Sequence, residues 1–157
     1  MARVAISLGS NLGNRREHLA WALDELRALV QNLRASDPIE TEPFDVPEPQ
    51  PPYLNMAATG ETGLSAEALM AKLLEIERHA GRERRTSKAA RTLDLDVIFY
   101  GAQIIRTPAI VVPHPRFRSR RFVLEPLAAI AADWIDPVTG RTVRQLLAEL
   151  DEKEKGA

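Results

Sequence analysis

The residues best placed to do chemistry are two aspartates, Asp94 and Asp96, in the stretch RTLDLDVIFYG that runs from Arg91 to Gly101. Leu93, Leu95, Val97 and Phe99 alternate as a strand requires, which turns both carboxylates to the opposite face. Carboxylates at i and i+2 on one strand have Cα atoms only ~7 Å apart, close enough to converge on one cation or a close pair of cations. Asp is depleted in strands and a buried carboxylate without a partner is costly, so the doublet implies a metal, a cationic partner or open solvent. The chain has no Cys, so a metal there would rest on oxygen or imidazole.

The charges around the doublet narrow the choice of ligand. The 157-residue chain carries 21 Lys plus Arg against 22 Asp plus Glu, a net charge of −1, so no global field favours nucleic acid or an anionic membrane. Locally, Arg78, Arg82, Arg84, Arg85, Lys88 and Arg91 meet a single acid, Glu83, before the doublet. Arg116, Arg118, Arg120 and Arg121 follow it with no acid among them. Bases on both sides of a carboxylate pair suit a substrate that is polyanionic and metal-bound, such as a nucleoside polyphosphate; the plainer reading is a solvated loop and helix surface. Neither GK[ST] nor GxGxxG occurs, so the two common nucleotide fingerprints are missing.

The elements that position these groups follow from periodicity. Val4, Ile6 and Leu8 predict a first strand that breaks at GSNLGN, residues 9–14. From Arg15 the stripe Leu19, Ala22, Leu23, Leu26, Val30 and Leu33 predicts a helix of about five turns. A short strand is expected around Ala35 to Thr41, weakened by Asp37 and Pro38. Pro43, Pro47, Pro49, Pro51 and Pro52 make a semi-rigid surface loop, a lid or a connector, and Tyr53 to Thr59 reads as the next strand. Ser65 caps a helix from Ala66 to about Ala80 that Gly81 terminates, with Glu77 beside its apolar stripe and Arg78 or Arg82 able to offset that charge. The basic segment to Arg91 has no periodicity and reads as a mobile loop. After the aspartate strand come a hairpin partner through Gln103 to Ile105, a helix from Phe122 to Ala132 with Pro126 in its first turn, and a helix from Val143 to Leu150 before a frayed tail. Irregular alternation with a hairpin-linked pair predicts an α+β layered fold, in one domain over residues 1–157.

Taken together, GSNLG at 9–13, YLN at 53–55, the helix end from Glu77 to Arg82, RTLDLD at 91–96 and VPHPR followed by RRFVLEPL resemble the 6-hydroxymethyl-7,8-dihydropterin pyrophosphokinase family of folate synthesis. The likeness runs in order from Val4 to about Asp136. It implies a ferredoxin-like fold, a mostly antiparallel sheet with helices packed on it, and transfer of pyrophosphate from ATP to a pterin alcohol with release of AMP. It further implies that Asp94 and Asp96 hold two Mg²⁺ ions on the ATP phosphates, and that Tyr53 and Phe122 sandwich the pterin while Asn55 bonds its polar edge. Arg82 and Arg91 would contact phosphate oxygens, with Glu77 near the nucleotide and His114 and Arg120 on the ATP side. One departure is TSKAAR, where Ala89 and Ala90 precede the motif arginine in place of the family's frequent Pro.

Two other readings compete. A ferredoxin-like RNA-binding module would want exposed strand aromatics and a basic domain, but aromatics are 5% of the chain and the net charge is −1. A metal-dependent nuclease or nucleotidyl transferase could use the same Asp pair on a polynucleotide. The N-terminal MARVAISLGS is too short for a signal segment and no apolar run approaches a membrane span, so a cytoplasmic, monomeric protein with no membrane or nucleic-acid partner is expected.

Overall fold

The computed structural model describes residues 1–41, 52–81 and 92–155; most of the proline loop, the arginine-rich segment from Arg82 to Ala90 and Arg91 itself lie outside the described residues. In chain order the elements are β1 (Ala2–Ser10), α1 (Arg15–Leu26), β2 (Gln31–Ala35), β3 (Ile39–Thr41), β4 (Tyr53–Thr62), α2 (Ala66–His79), β5 (Asp94–Tyr100), β6 (Ile105–Arg106), β7 (Val111–Val112), α3 (Arg121–Ala131) and α4 (Val143–Lys155). The main sheet is antiparallel in the order β2-β4-β1-β5, with β3 also paired to β4. Helices lie on both of its faces, the ferredoxin-like α+β arrangement expected from the sequence.

Strand alternation divides the core in two. Val4, Ile6 and Leu8 of β1, Leu54 and Met56 of β4, and Leu95 and Val97 of β5 pack with Leu19 and Leu26 of α1 and Leu69, Leu73 and Ile76 of α2. On the other face Ala5, Ala57, Ile98 and Phe99 pack beneath Leu124 and Leu127 of α3, Val143 and Leu146 of α4, and Phe117. Phe99 and Phe117 meet edge to face with centroids 5.2 Å apart. α2 starts where Ser65 Oγ accepts from the Ala68 N–H at 3.1 Å and stops at Gly81, whose φ of +81° suits a glycine.

Several expectations fail for identifiable reasons. The first helix ends at Leu26, about two turns early; Val30 and Leu33 keep helical spacing only because they meet the same core from a turn and from β2. The expected strand near Ala35 is two strands divided at Pro38, both paired to β4. Phe99 does not share the face of Leu95 and Val97, because Ala5 pairs with Phe99 while Ile6 pairs with Val97, leaving Ile98 as an inserted bulge residue that reverses the alternation. The segment through Ile105 pairs with β7 and not with β5. The outer edge of β5 is met instead by Glu77 and by the His114 N–H, which donates to the Ile98 carbonyl at 3.0 Å.

Pro126 sits in the second turn of α3, where it cannot donate to the Phe122 carbonyl, and burial of its ring offsets that loss. The C-terminal residues are helical to Lys155, because Arg121 reaches across to Asp151 and Glu154. A reciprocal cap between Thr142 and Gln145 begins that helix: Thr142 Oγ1 accepts from the Gln145 N–H at 3.1 Å and Gln145 Oε1 from the Thr142 N–H at 2.9 Å.

Candidate active site

Strand register assembles the site. Gly9 on the central strand lies opposite Asn55 on one side and Asp94 on the other, so the three form a single row with their side-chain positions on one face. The next row on that face is Ala57, Ser7 and Asp96. Two strand spacings separate Asn55 from Asp94, about 10 Å between Cα atoms. This is the face that α3 and α4 cover farther along, over Ala5, Ala57 and Ile98. Toward Gly9 the sheet carries polar groups instead: Asp94 and Asp96 are half-buried, and Tyr53, two residues before Asn55, points the same way.

Gly9 is needed there for space. A Cβ on Gly9 would stand 2.8 Å from Asn55 Oδ1 and 3.4 Å from Tyr53 Cδ1, so both side chains lie directly against its backbone. Asn55 is 4% exposed, and its Nδ2 donates to Thr41 Oγ1 at 2.6 Å. Arg15, at the start of α1, donates from Nη1 to the Pro52 carbonyl at 2.7 Å, fixing the backbone immediately before Tyr53. The small residues Gly9, Ser7 and Ala57 occupy the sheet between the Asn55 amide and the two carboxylates.

Glu77 is 2% exposed, and its Oε2 accepts from the Leu95 N–H at 2.7 Å. That N–H lies between Asp94 and Asp96 on the outermost strand of the sheet, so Glu77 secures the backbone that carries the doublet.

His114 reaches the same edge through its backbone bond to Ile98, and its Nδ1 accepts from the Arg116 N–H at 3.1 Å. Burial, with the charges of Arg120 and Arg116, lowers its pKa from 6.5 to about 4, against an opposing pull from Asp94. The neutral ring therefore carries its proton on Nε2 and presents a hydrogen-bond donor. Arg120 lies over the Phe122 ring, its Cζ 5.5 Å from the centroid.

The second basic cluster is divided by the fold. Arg118 turns away to a bidentate ion pair with Asp136, Nε to Oδ2 at 2.6 Å and Nη2 to Oδ1 at 2.9 Å, and Arg121 pairs with α4. Only Arg116 and Arg120 of that cluster stand beside His114. Asp136 is fully buried, and it also accepts from the Val138 N–H and Thr139 Oγ1, so the pair anchors the segment between His114 and Phe122. Arg82 and Arg91 lie outside the described residues.

Among the described residues no group of three or more His, Cys, Asp or Glu could enclose a metal ion. Two carboxylates on one strand face nevertheless fit a hard divalent ion that takes its other ligands from phosphate oxygens and water, the usual way Mg²⁺ sits beside a nucleotide. Thr41 and the tight packing on Gly9 carry no signal in the sequence. Thr41 becomes part of the site through the pairing of β3 with β4, and the demand for glycine appears only once Asn55 and Tyr53 are placed.

A sequence profile of the 7,8-dihydro-6-hydroxymethylpterin-pyrophosphokinase (HPPK) family matches residues 5–132. The chain is 41% identical over 149 residues to the 2-amino-4-hydroxy-6-hydroxymethyldihydropteridine pyrophosphokinase of Synechocystis sp., a match covering 93% of this chain and 75% of that protein. The Pseudomonas aeruginosa protein of the same name is 39% identical over 153 residues, covering 93% and 90%. Wild-type HPPK-DHPS of Plasmodium falciparum, solved with SDX-DHP, shares the fold with a TM-score of 0.79 at 12% identity; the match covers 99% of this chain and 45% of that one.

Proposed function

The chain belongs to the 7,8-dihydro-6-hydroxymethylpterin-pyrophosphokinase family, and on that premise we propose that it transfers pyrophosphate from ATP to 6-hydroxymethyl-7,8-dihydropterin in folate synthesis. The observation that carries the reading is the row of Asn55, Gly9 and Asp94, which holds an amide for a heterocycle and a carboxylate for a phosphate-bound cation about two strand spacings apart.

The hydroxymethyl oxygen of the pterin attacks the β-phosphorus of ATP, the bond from that phosphorus to the oxygen bridging to the α-phosphorus breaks, the hydroxyl proton is released, and AMP departs. Such a transfer asks the protein for positioning and charge stabilisation rather than covalent chemistry. Asn55 offers hydrogen bonds to the ring's amide-like edge, with Tyr53 and Phe122 as its aromatic walls; a stacked ring is worth about 0.5–1.5 kcal/mol beyond its area burial. Asp94 and Asp96 would hold Mg²⁺, two ions by family resemblance, and the metal when bound neutralises phosphate charge as it shifts toward the leaving oxygen. Arg82, Arg91 and Arg120 supply guanidinium groups for phosphate oxygens, and His114 supplies a neutral Nε2–H donor. Family membership supports this reading over a nuclease or a nucleic-acid-binding module.

The two ends of the row should separate in binding. Asn55→Ala is expected to weaken pterin binding at least tenfold, about 1.4 kcal/mol, while leaving Mg-ATP binding within twofold, and Asp94→Asn is expected to weaken Mg-ATP binding first. Calorimetric titration of each ligand distinguishes the cases. Equal loss of both ligands in both variants would mean that the row does not divide the substrates.

A further inference from the structure

We propose that Thr41 is a positioning residue for pterin recognition: its hydroxyl fixes the amide plane of Asn55 before the substrate arrives. The inference rests on the proposed function and adds to it a residue from outside the motif set. Thr41 ends β3, paired with Tyr53, and its Oγ1 accepts from Asn55 Nδ2 at 2.6 Å across 14 residues of sequence. On the opposite side the amide oxygen lies against Gly9, where even a methyl group would come within 2.8 Å. The amide is thus held at its nitrogen by a hydrogen bond and at its oxygen by backbone.

An Asn side chain otherwise turns freely, because its last torsion has a broad, two-fold profile. Holding it fixes which end of the amide is donor and which is acceptor, and the N–H and C=O edge of a pterin ring is the complement of such a pair. With Thr41 absent, the rotor must be frozen on binding, and the loss corresponds to about threefold to tenfold in affinity. Asn55 is 4% exposed, so water does not readily take the place of the hydroxyl.

The test compares Thr41→Val, which keeps the branched shape and the strand preference but removes the hydroxyl, with Thr41→Ser, which restores it. Binding of 6-hydroxymethyl-7,8-dihydropterin is measured by calorimetry with Mg²⁺ and a non-hydrolysable ATP analogue present. Thr41→Val should weaken the pterin threefold to tenfold with ATP-analogue binding unchanged, and Thr41→Ser should recover most of it. In an Asn55→Ala background Thr41→Val should have no further effect, a coupling that a merely structural role would not produce. Without any ligand, the two side-chain amide protons of Asn55 should give distinct, slowly exchanging NMR signals in the wild type and Thr41→Ser, and lose that protection in Thr41→Val. Wild-type pterin affinity in Thr41→Val, additive losses in the double variant, or an unchanged Asn55 amide signal would each overturn the proposal. A wild-type protein that binds no pterin at all would instead overturn the parent reading together with this one.

Discussion

Gly9→Ala probes the site at its tightest point. The new methyl carbon would sit 2.8 Å from Asn55 Oδ1, where relaxed contacts lie at ~3.5 Å, so about 0.7 Å must be recovered by something moving. Backbone strands on both sides of Gly9 hold that residue in place, and the Tyr53 contact at 3.4 Å is already close. The yielding group is the Asn55 amide. Its retreat lengthens the 2.6 Å bond to Thr41 and pulls the side chain off its rotamer. A hydrogen bond is worth a net ~0.5–1.5 kcal/mol and an off-rotamer torsion costs a similar amount, so the bound-ready amide becomes less accessible by about 1–3 kcal/mol. Pterin affinity should fall by roughly 5-fold to 150-fold. Global stability should change far less, because replacing a strand glycine by alanine itself gains about 0.5–1 kcal/mol and offsets part of the strain. Calorimetry with pterin and with Mg-ATP, alongside urea denaturation, measures all three quantities. A variant that binds pterin as tightly as the wild type, or that loses Mg-ATP binding to the same degree, would refute the packing argument.

Arg118→Ala should cost about 3 kcal/mol of stability, since it strands the fully buried Asp136 carboxylate. Burial opposes ionisation of Asp136, but bonds from Arg118, Thr139 and the Val138 N–H outweigh it and hold the carboxyl below its ordinary 3.8, so the contribution is complete above that value and fades as pH falls through the folded pKa. Denaturation midpoints of the wild type and Arg118→Ala should therefore converge below about pH 4, and a constant gap at all pH values would contradict the ion-pair account. The His114 ring, titrating at about 4, should remain the neutral Nε2–H tautomer in ¹⁵N NMR spectra between about pH 5 and 8; because its folded pKa lies below 6.5, it weakens the fold as pH drops from 6.5 toward 4. An imidazolium signal at pH 6 would contradict the proposed donor role.

What was legible in the sequence follows from which forces act locally. β1, β4, α2 and the start of the aspartate strand could be read because each sets its large apolar residues at one regular spacing toward α1 and α2 or the sheet, and that packing imprints its period on the chain. Both ends of the first helix looked equally helical, since Val30 and Leu33 answer to the same core from outside it. The face of Phe99 was hidden by a single inserted residue, and a bulge leaves no mark on an apolar run such as VIFY. Six-residue basic clusters could not reveal that Arg118 and Arg121 are committed to acids 18 and 30 residues away. The paired aspartates, Asn55 and Tyr53 stand in the ordered motifs, whereas the contacts that Thr41, Gly9 and Glu77 make with these residues and their strand depend on strand register and helix placement that only the folded chain supplies.

The identity of the products tests the central claim most directly. Incubation with ATP, Mg²⁺ and 6-hydroxymethyl-7,8-dihydropterin, followed by ³¹P NMR and chromatography of the nucleotides, distinguishes attack at the β-phosphorus from attack at the γ-phosphorus. Attack at the β-phosphorus yields AMP in equal amount to a pterin carrying two coupled phosphorus resonances, and neither forms without the pterin. Release of ADP with a singly phosphorylated pterin, or ATP left intact, would contradict the account.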